Sequence, residues 1–176
     1  MKILKKIEEE LSSWNVPDYL INTVFLLFVF IFSTAIHEVG HFIVAMMFGC
    51  KAGIVELTLF QGATGFDCTA FAGIDLTLRK ILIAYGGGLA ALITGMFFWF
   101  TEGRKDMEKG EISNLRIFSI ILFFLSCIFQ LFPGYKSLDG YFAIQAGLNP
   151  VLAWGIWIFL VSLVANVVIS EKSKEE

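Results

Sequence analysis

The sequence predicts an all-α multi-pass membrane protein with about four transmembrane helices and a membrane-associated β-hairpin between the first two. Three observations predict it. Of 176 residues, 57% are hydrophobic and only 16% are charged, against roughly 45–50% and about 25% in soluble globular chains. Mean hydropathy is +0.76. The apolar residues gather in four long runs, and one short segment between the first two runs alternates instead.

The elements follow in order. Residues 1–18 form an N-terminal segment with Lys2, Lys5 and Lys6 ahead of Glu8, Glu9 and Glu10. Its Ile3, Leu4, Ile7 and Leu11 fall at helical spacing, so it reads either as an amphipathic surface helix or as a polar tail. No cleavable signal peptide is expected, because the apolar run that follows is too long and lacks a small-residue cleavage site. The membrane domain covers 19–170, with spans at 21–49, 81–100, 115–132 and 151–169. Each suits a hydrocarbon core about 30 Å thick, which takes ~20 helical residues. Pro150 fits the first turn of the last span, where its missing N–H costs nothing. Residues 171–176 are a charged tail.

Between the first two spans, Gly53 to Phe60 favours strand, Gly62-Ala63-Thr64-Gly65 reads as a turn, and Phe66 to Phe71 returns. The hairpin, about 53–71, must pack on helices or line a wet cavity, because lipid cannot satisfy a strand edge. The segment from Pro133 to Asn149 reads as irregular. Cys50, Cys68 and Cys127 are odd in number and lack Cys-x-x-Cys spacing, so they are expected to be buried small hydrophobes rather than a disulfide framework.

Net charge is −3 and no basic patch forms, so a nucleic-acid partner is not expected. With four spans, nine Lys and Arg residues fall on the side of both termini and four (Lys51, Arg79, Lys80 and Lys136) on the other. That count puts the termini in the cytoplasm.

The only two histidines lie in His37-Glu38-Val39-Gly40-His41. Four helical residues advance about 400°, so both imidazoles project from one face, one turn apart. That spacing lets them share a tetrahedral Zn²⁺, and Glu38, about 100° round, can act as general base. A solvated helix face is the bland alternative in a soluble protein. Here the cluster lies inside an apolar span, where ionisable groups are costly and usually functional. A third protein ligand is needed. The candidates away from the charged segments are Glu56, Asp67, Asp75 and Asp139. Asp139 leads, since it follows the third span in Leu138-Asp139-Gly140, and Asp67 is the reserve.

On these residues the chain resembles the site-2 protease family of intramembrane zinc metalloproteases, most closely compact members without a PDZ domain. The similarity runs roughly from Thr34 to Gln145. His37 to Phe42 matches the first motif, and Gln130 to Gly140 is similar to the second, an Asn-Pro-type turn leading to Leu-Asp-Gly. The resemblance implies His37, His41 and Asp139 as zinc ligands and Glu38 as catalytic base. It also implies a helix-bearing membrane protein or peptide as substrate, in the cell membrane. Gln130 stands where the family has Asn, and Tyr141 where Gly often follows. In Gly86-Gly87-Gly88-Leu89-Ala90-Ala91, Gly88 and Ala91 replace Pro and Asn, so the donor to the oxyanion is not identified and close helix packing is the simpler role for the glycines. The family's first-motif helix usually runs from outside to inside, opposite to the charge count.

Water is expected to reach the site beside Ser33, Thr34 and Gln130. Two other readings compete. A catalytically inactive member would bind membrane peptides as a chaperone or regulator. A di-iron membrane enzyme would need more histidines than two.

Overall fold

A computed structural model describes residues 16–57, 62–68, 75–103 and 114–169. The N-terminal segment to residue 15, residues 58–61 and 69–71 of the expected hairpin, the basic residues at 104–109 and the charged tail lie outside the described residues. The described chain runs α1 (Val16–Met47), β1 (Lys51–Leu57), β2 (Gly62–Asp67), α2 (Leu76–Phe98), a π-helical turn (Trp99–Gly103), α3 (Asn114–Gln130), α4 (Asp139–Gln145) and α5 (Pro150–Ile169). Helices thus cover most of each predicted span, the first ending at Met47 and the third at Gln130. Two of them, α1 over Thr23–Met47 and α2 continued to Thr101, are long and apolar enough to cross a membrane. In α5 the apolar part is Pro150–Asn166. Large apolar side chains stand exposed along the helices, among them Phe28, Ile93, Phe97, Val151 and Phe159. Water would penalise such a surface.

Backbone chemistry sets where helices begin and end. Asp75 caps α2 by accepting from Thr77 N at 3.2 Å, which starts that helix five residues before its apolar run. Asn149 does the same for α5, its Oδ1 accepting from Val151 N at 2.8 Å, and Pro150 opens the helix as predicted. Gly49 (φ 69°) stops α1. Cys50 N donates to Ala45 O and Gly49 N to Met46 O, both at 3.0 Å, a Schellman ending that needs a left-handed residue at the turn.

The hairpin differs from expectation. Gly62 to Gly65 is strand and not turn: Lys51 pairs with Asp67, Gly53 with Gly65 and Ile54 with Thr64. Alternation there is carried by glycines and one threonine, a weak signal beside the aromatic run that follows. A register shift between Ile54 and Glu56 leaves Val55 as an extra residue opposite Ala63 and Thr64, which bends β1 at that point. Continuing the Lys51–Asp67 register by one pair brings Cys50 beside Cys68. Their Cα atoms are 4.3 Å apart and they form a disulfide, correcting the expectation for these two. Cys127 is buried and free, as expected.

The core lies where α2, α3 and α5 meet, around Leu92, Trp99, Phe123, Phe124, Leu131 and Leu160. A smaller cluster of Ala45, Cys50, Cys68 and Ile83 seats the foot of the hairpin against α1 and α2. Trp157 Nε1 donates to Ile128 O at 2.8 Å, supplying a partner to a carbonyl in the last turn of α3 that has none within its helix. The segment from Pro133 to Asn149 is not wholly irregular, since α4 forms within it and starts at Asp139.

Candidate metal centre

Three elements bring the charged residues together. α1 carries His37, Glu38 and His41, all nearly fully buried. The last of them lies six residues before the helix ends, about 9 Å along its axis. α2 packs against this face through glycine. A Cβ at Gly40 would meet Gly86 O at 2.5 Å, so the two backbones touch and no side chain separates them. Gly87, one residue on, lies against the imidazoles, where a Cβ would be 2.5 Å from His41 Nε2 and 2.7 Å from His37 Nε2. The glycine run is therefore packing, as expected, and also makes room for the histidine rings.

α4 supplies the third group. Gly140 packs on the end of α3, where a Cβ would collide with the backbone of Leu131. The glycine is helical, so its role is this close approach and not the sharp backbone turn expected from the Leu-Asp-Gly sequence. The contact aims Asp139 at the histidines. Asp139 Oδ2 lies 2.9 Å from His37 Nε2 and 3.3 Å from His41 Nε2, and the two Nε2 atoms are 3.0 Å apart.

These distances can be tested against a metal ion. Ligands at 2.0–2.1 Å from a tetrahedral centre are separated by about 3.3 Å, so the three atoms form one face of such a polyhedron, slightly contracted. The position of the His41 proton agrees. His41 Nδ1 is 2.6 Å from Ile83 O, a contact that requires its proton, so neutral His41 presents a bare Nε2 to the centre. Asp139 Oδ2 is buried without a donor in hydrogen-bonding geometry. Lone pairs converging in a buried place are costly unless a cation shares them. Among the described residues His37, His41 and Asp139 form a group that could hold a metal ion. The backbone carbonyl of Ile83 fixes the His41 tautomer, as the outer shell of a metal site commonly does for a histidine.

The other candidate carboxylates are elsewhere. Glu56 is exposed on β1, Asp67 is exposed at the end of β2 opposite Lys51, and Asp75 caps α2. Glu38 does not join the His37–His41–Asp139 group. Its Oε2 accepts from Thr64 Oγ1 at 2.6 Å, and a Cβ at Gly62 would fall on its carboxyl group. Sequence reasoning missed Thr64, Gly62, Gly87 and Ile83. For the first two the signal was available only once the segment was read as strand, since alternation puts both on one face.

The centre opens on a cleft of about 970 Å³. Thr34, Lys80, Gln130, Ser137 and Gln145 give it a polar side, and Phe66, Phe129 and Phe142 an apolar one. Thr34 and Gln130 thus lie where water access was expected, but Ser33 is buried and does not line the cleft. Ala91 is fully buried. Comparison of the chain with protein-family models, with curated proteins and with solved structures finds no match to any of them.

Proposed function

We propose that the chain is an intramembrane zinc metalloendopeptidase that hydrolyses peptide bonds in membrane-spanning proteins. The observation that carries this reading is the convergence of His37, His41 and Asp139 on one point, with Glu38 free of that triad and facing the same cleft. Two imidazoles and one carboxylate form a common catalytic zinc set that leaves a position open. A zinc ion held there supplies Lewis acidity, bringing the ionisation of water towards pH ~7 and polarising a carbonyl.

The chain's own residues do the rest. Glu38 takes the proton of the attacking water as the new C–O bond forms. It returns that proton to the amine nitrogen as the peptide C–N bond breaks, so proton count and charge balance over the cycle. His41 is held in its ligating tautomer by Ile83 O. A helical substrate has its carbonyls hydrogen-bonded and must unwind before attack. Among the described residues β2 pairs with β1 along one edge only, and Gly62, Ala63, Thr64 and Phe66 border the cleft, so an unwound segment can add to β2 as a strand.

Four membrane crossings, by α1, α2, α3 and α5, complete the proposal. The Cys50–Cys68 disulfide favours an oxidising compartment for the hairpin. It agrees with the charge count that puts both termini in the cytoplasm, and opposes the orientation implied by the family resemblance. A second reading, a non-hydrolytic binder of membrane peptides, is favoured by Ala91, which offers no side-chain donor to an oxyanion.

Purified protein incubated with a transmembrane peptide, with and without chelator, decides between them. Wild type is expected to cleave only when zinc is present, and Glu38→Gln to keep its zinc and lose cleavage. Equal cleavage by the two proteins would refute the peptidase mechanism. Zinc-loaded wild type that binds the peptide without cutting it would establish the second reading.

A further inference from the structure

Thr64 stands out once the metal triad has been accounted for. It lies on a different element from Glu38, twenty-six residues further along the chain, yet its hydroxyl donates to the Glu38 carboxylate, 2.6 Å to Oε2. The Glu38 backbone oxygen, at 3.2 Å, is a second and weaker acceptor for the same hydroxyl. Gly62 precedes it by two residues and so shares its face of β2. An added Cβ there would lie within 3 Å of Glu38 Cγ, Cδ and Oε1. The carboxylate thus sits in a slot with a floor, the bare Gly62 backbone, and a latch, the Thr64 hydroxyl. The Val55 bulge lies directly across the ladder, and bulges beside functional groups commonly re-aim a side chain.

We propose that Thr64 is a positioning residue for the Glu38 general base, with Gly62 providing the space in which it is held. The proposal rests on the peptidase reading for its catalytic consequence but not for the contact itself. A carboxylate that must collect a proton and return it has to keep one oxygen directed at the reacting water. A charge-assisted bond to Oε2, with the Gly62 backbone against Oε1, fixes the plane of the carboxylate and so the directions of its lone pairs. The strand offered to substrate is also the strand that orients the base, so a single rigid element aligns both.

The test uses the full-length, zinc-loaded protein with Thr64→Val, Thr64→Ser and Gly62→Ala. Thr64→Val keeps shape and strand propensity but removes the hydroxyl. It is expected to lower kcat about 10-fold to 100-fold, the scale of one lost charge-assisted hydrogen bond, with KM and zinc content unchanged. Thr64→Ser restores the donor and should bring kcat back to within roughly 3-fold of wild type. Gly62→Ala pushes on the end of a side chain rather than on backbone, so it should fold, bind zinc and lose kcat. Thr64→Val with wild-type kcat, or Thr64→Ser as impaired as Thr64→Val, overturns the positioning role.

A readout independent of turnover guards against failure of the peptidase reading. Thermal unfolding of Thr64→Val, Glu38→Ala and the double variant forms a cycle on the contact alone. Non-additive shifts are expected, and additive ones refute the contact whether or not the chain cleaves. If the cycle couples and wild type does not cleave, the peptidase reading has failed, and the contact stands as the structural tie of hairpin to α1.

Discussion

Replacing Gly87 by alanine should empty the metal centre while leaving the protein folded. The new Cβ would stand 2.5 Å from His41 Nε2 and 2.7 Å from His37 Cε1 and Nε2. Comfortable separation for such atoms is about 3.5 Å, so one or both rings must retreat by roughly 0.8–1 Å. Metal–ligand distances tolerate only about 0.2 Å. His41 cannot swing aside freely, because its other nitrogen is tied to Ile83 O. Changes to a residue that merely supports a ligand weaken metal affinity by ~10–100-fold. Displacing a ligand atom should do more, so zinc affinity is expected to fall at least about 100-fold, ~2.7 kcal/mol. Folding is affected less. Overpacking costs ~1–3 kcal/mol, and alanine regains ~1 kcal/mol over glycine within a helix. The assay is zinc titration against a competing chelator, with thermal unfolding of the same samples. Gly155→Ala is the control, since nothing lies within 4 Å of its Cβ. It should bind zinc normally and gain ~0.5–1 kcal/mol. Wild-type zinc affinity in Gly87→Ala would refute the reasoning.

Three further outcomes are expected. Trp157→Phe removes the donor to Ile128 O, leaving a helix-end carbonyl without a partner, and should lower stability by ~1–3 kcal/mol in unfolding assays without changing zinc content. Cys50→Ser closes no loop in the unfolded chain and should lose ~3 kcal/mol, the scale for a loop of about this length, with a matching loss on adding reductant to wild type only. In intact cells, Glu56→Cys, on the exposed side of the hairpin, should be labelled by a membrane-impermeant maleimide applied from outside. Labelling only after the membrane is opened would reverse the proposed orientation.

Much of the centre was legible in the sequence because its geometry is local. His37 and His41 share a helical face by spacing alone, and burial in an apolar run made a solvated role for them costly. Asp139 was legible through its neighbours, though the part played by Gly140 was not: the residue is helical, and its demand comes from the Leu131 backbone, a contact between two elements. The hairpin was harder. Gly62 to Gly65 carries turn-rich composition, yet pairing with Gly53 to Leu57 and packing on α1 override it. With that segment read as a turn, Thr64 had no defined face and its contact to Glu38 could not be seen. The disulfide was missed for the same reason, since Cys50 and Cys68 are neighbours only through the Lys51–Asp67 register. The helix start at Leu76 precedes the apolar run because a cap, the Asp75 side chain, rather than hydropathy, decides where that helix begins.

X-ray absorption at the zinc edge of the purified protein tests the central claim most directly. The expected result is one zinc per chain with only nitrogen and oxygen neighbours at ~2.0–2.1 Å, imidazole scattering from two rings, and loss of the bound ion in Asp139→Ala. A sulfur neighbour at ~2.3 Å, or an unchanged spectrum and zinc content in Asp139→Ala, would contradict it.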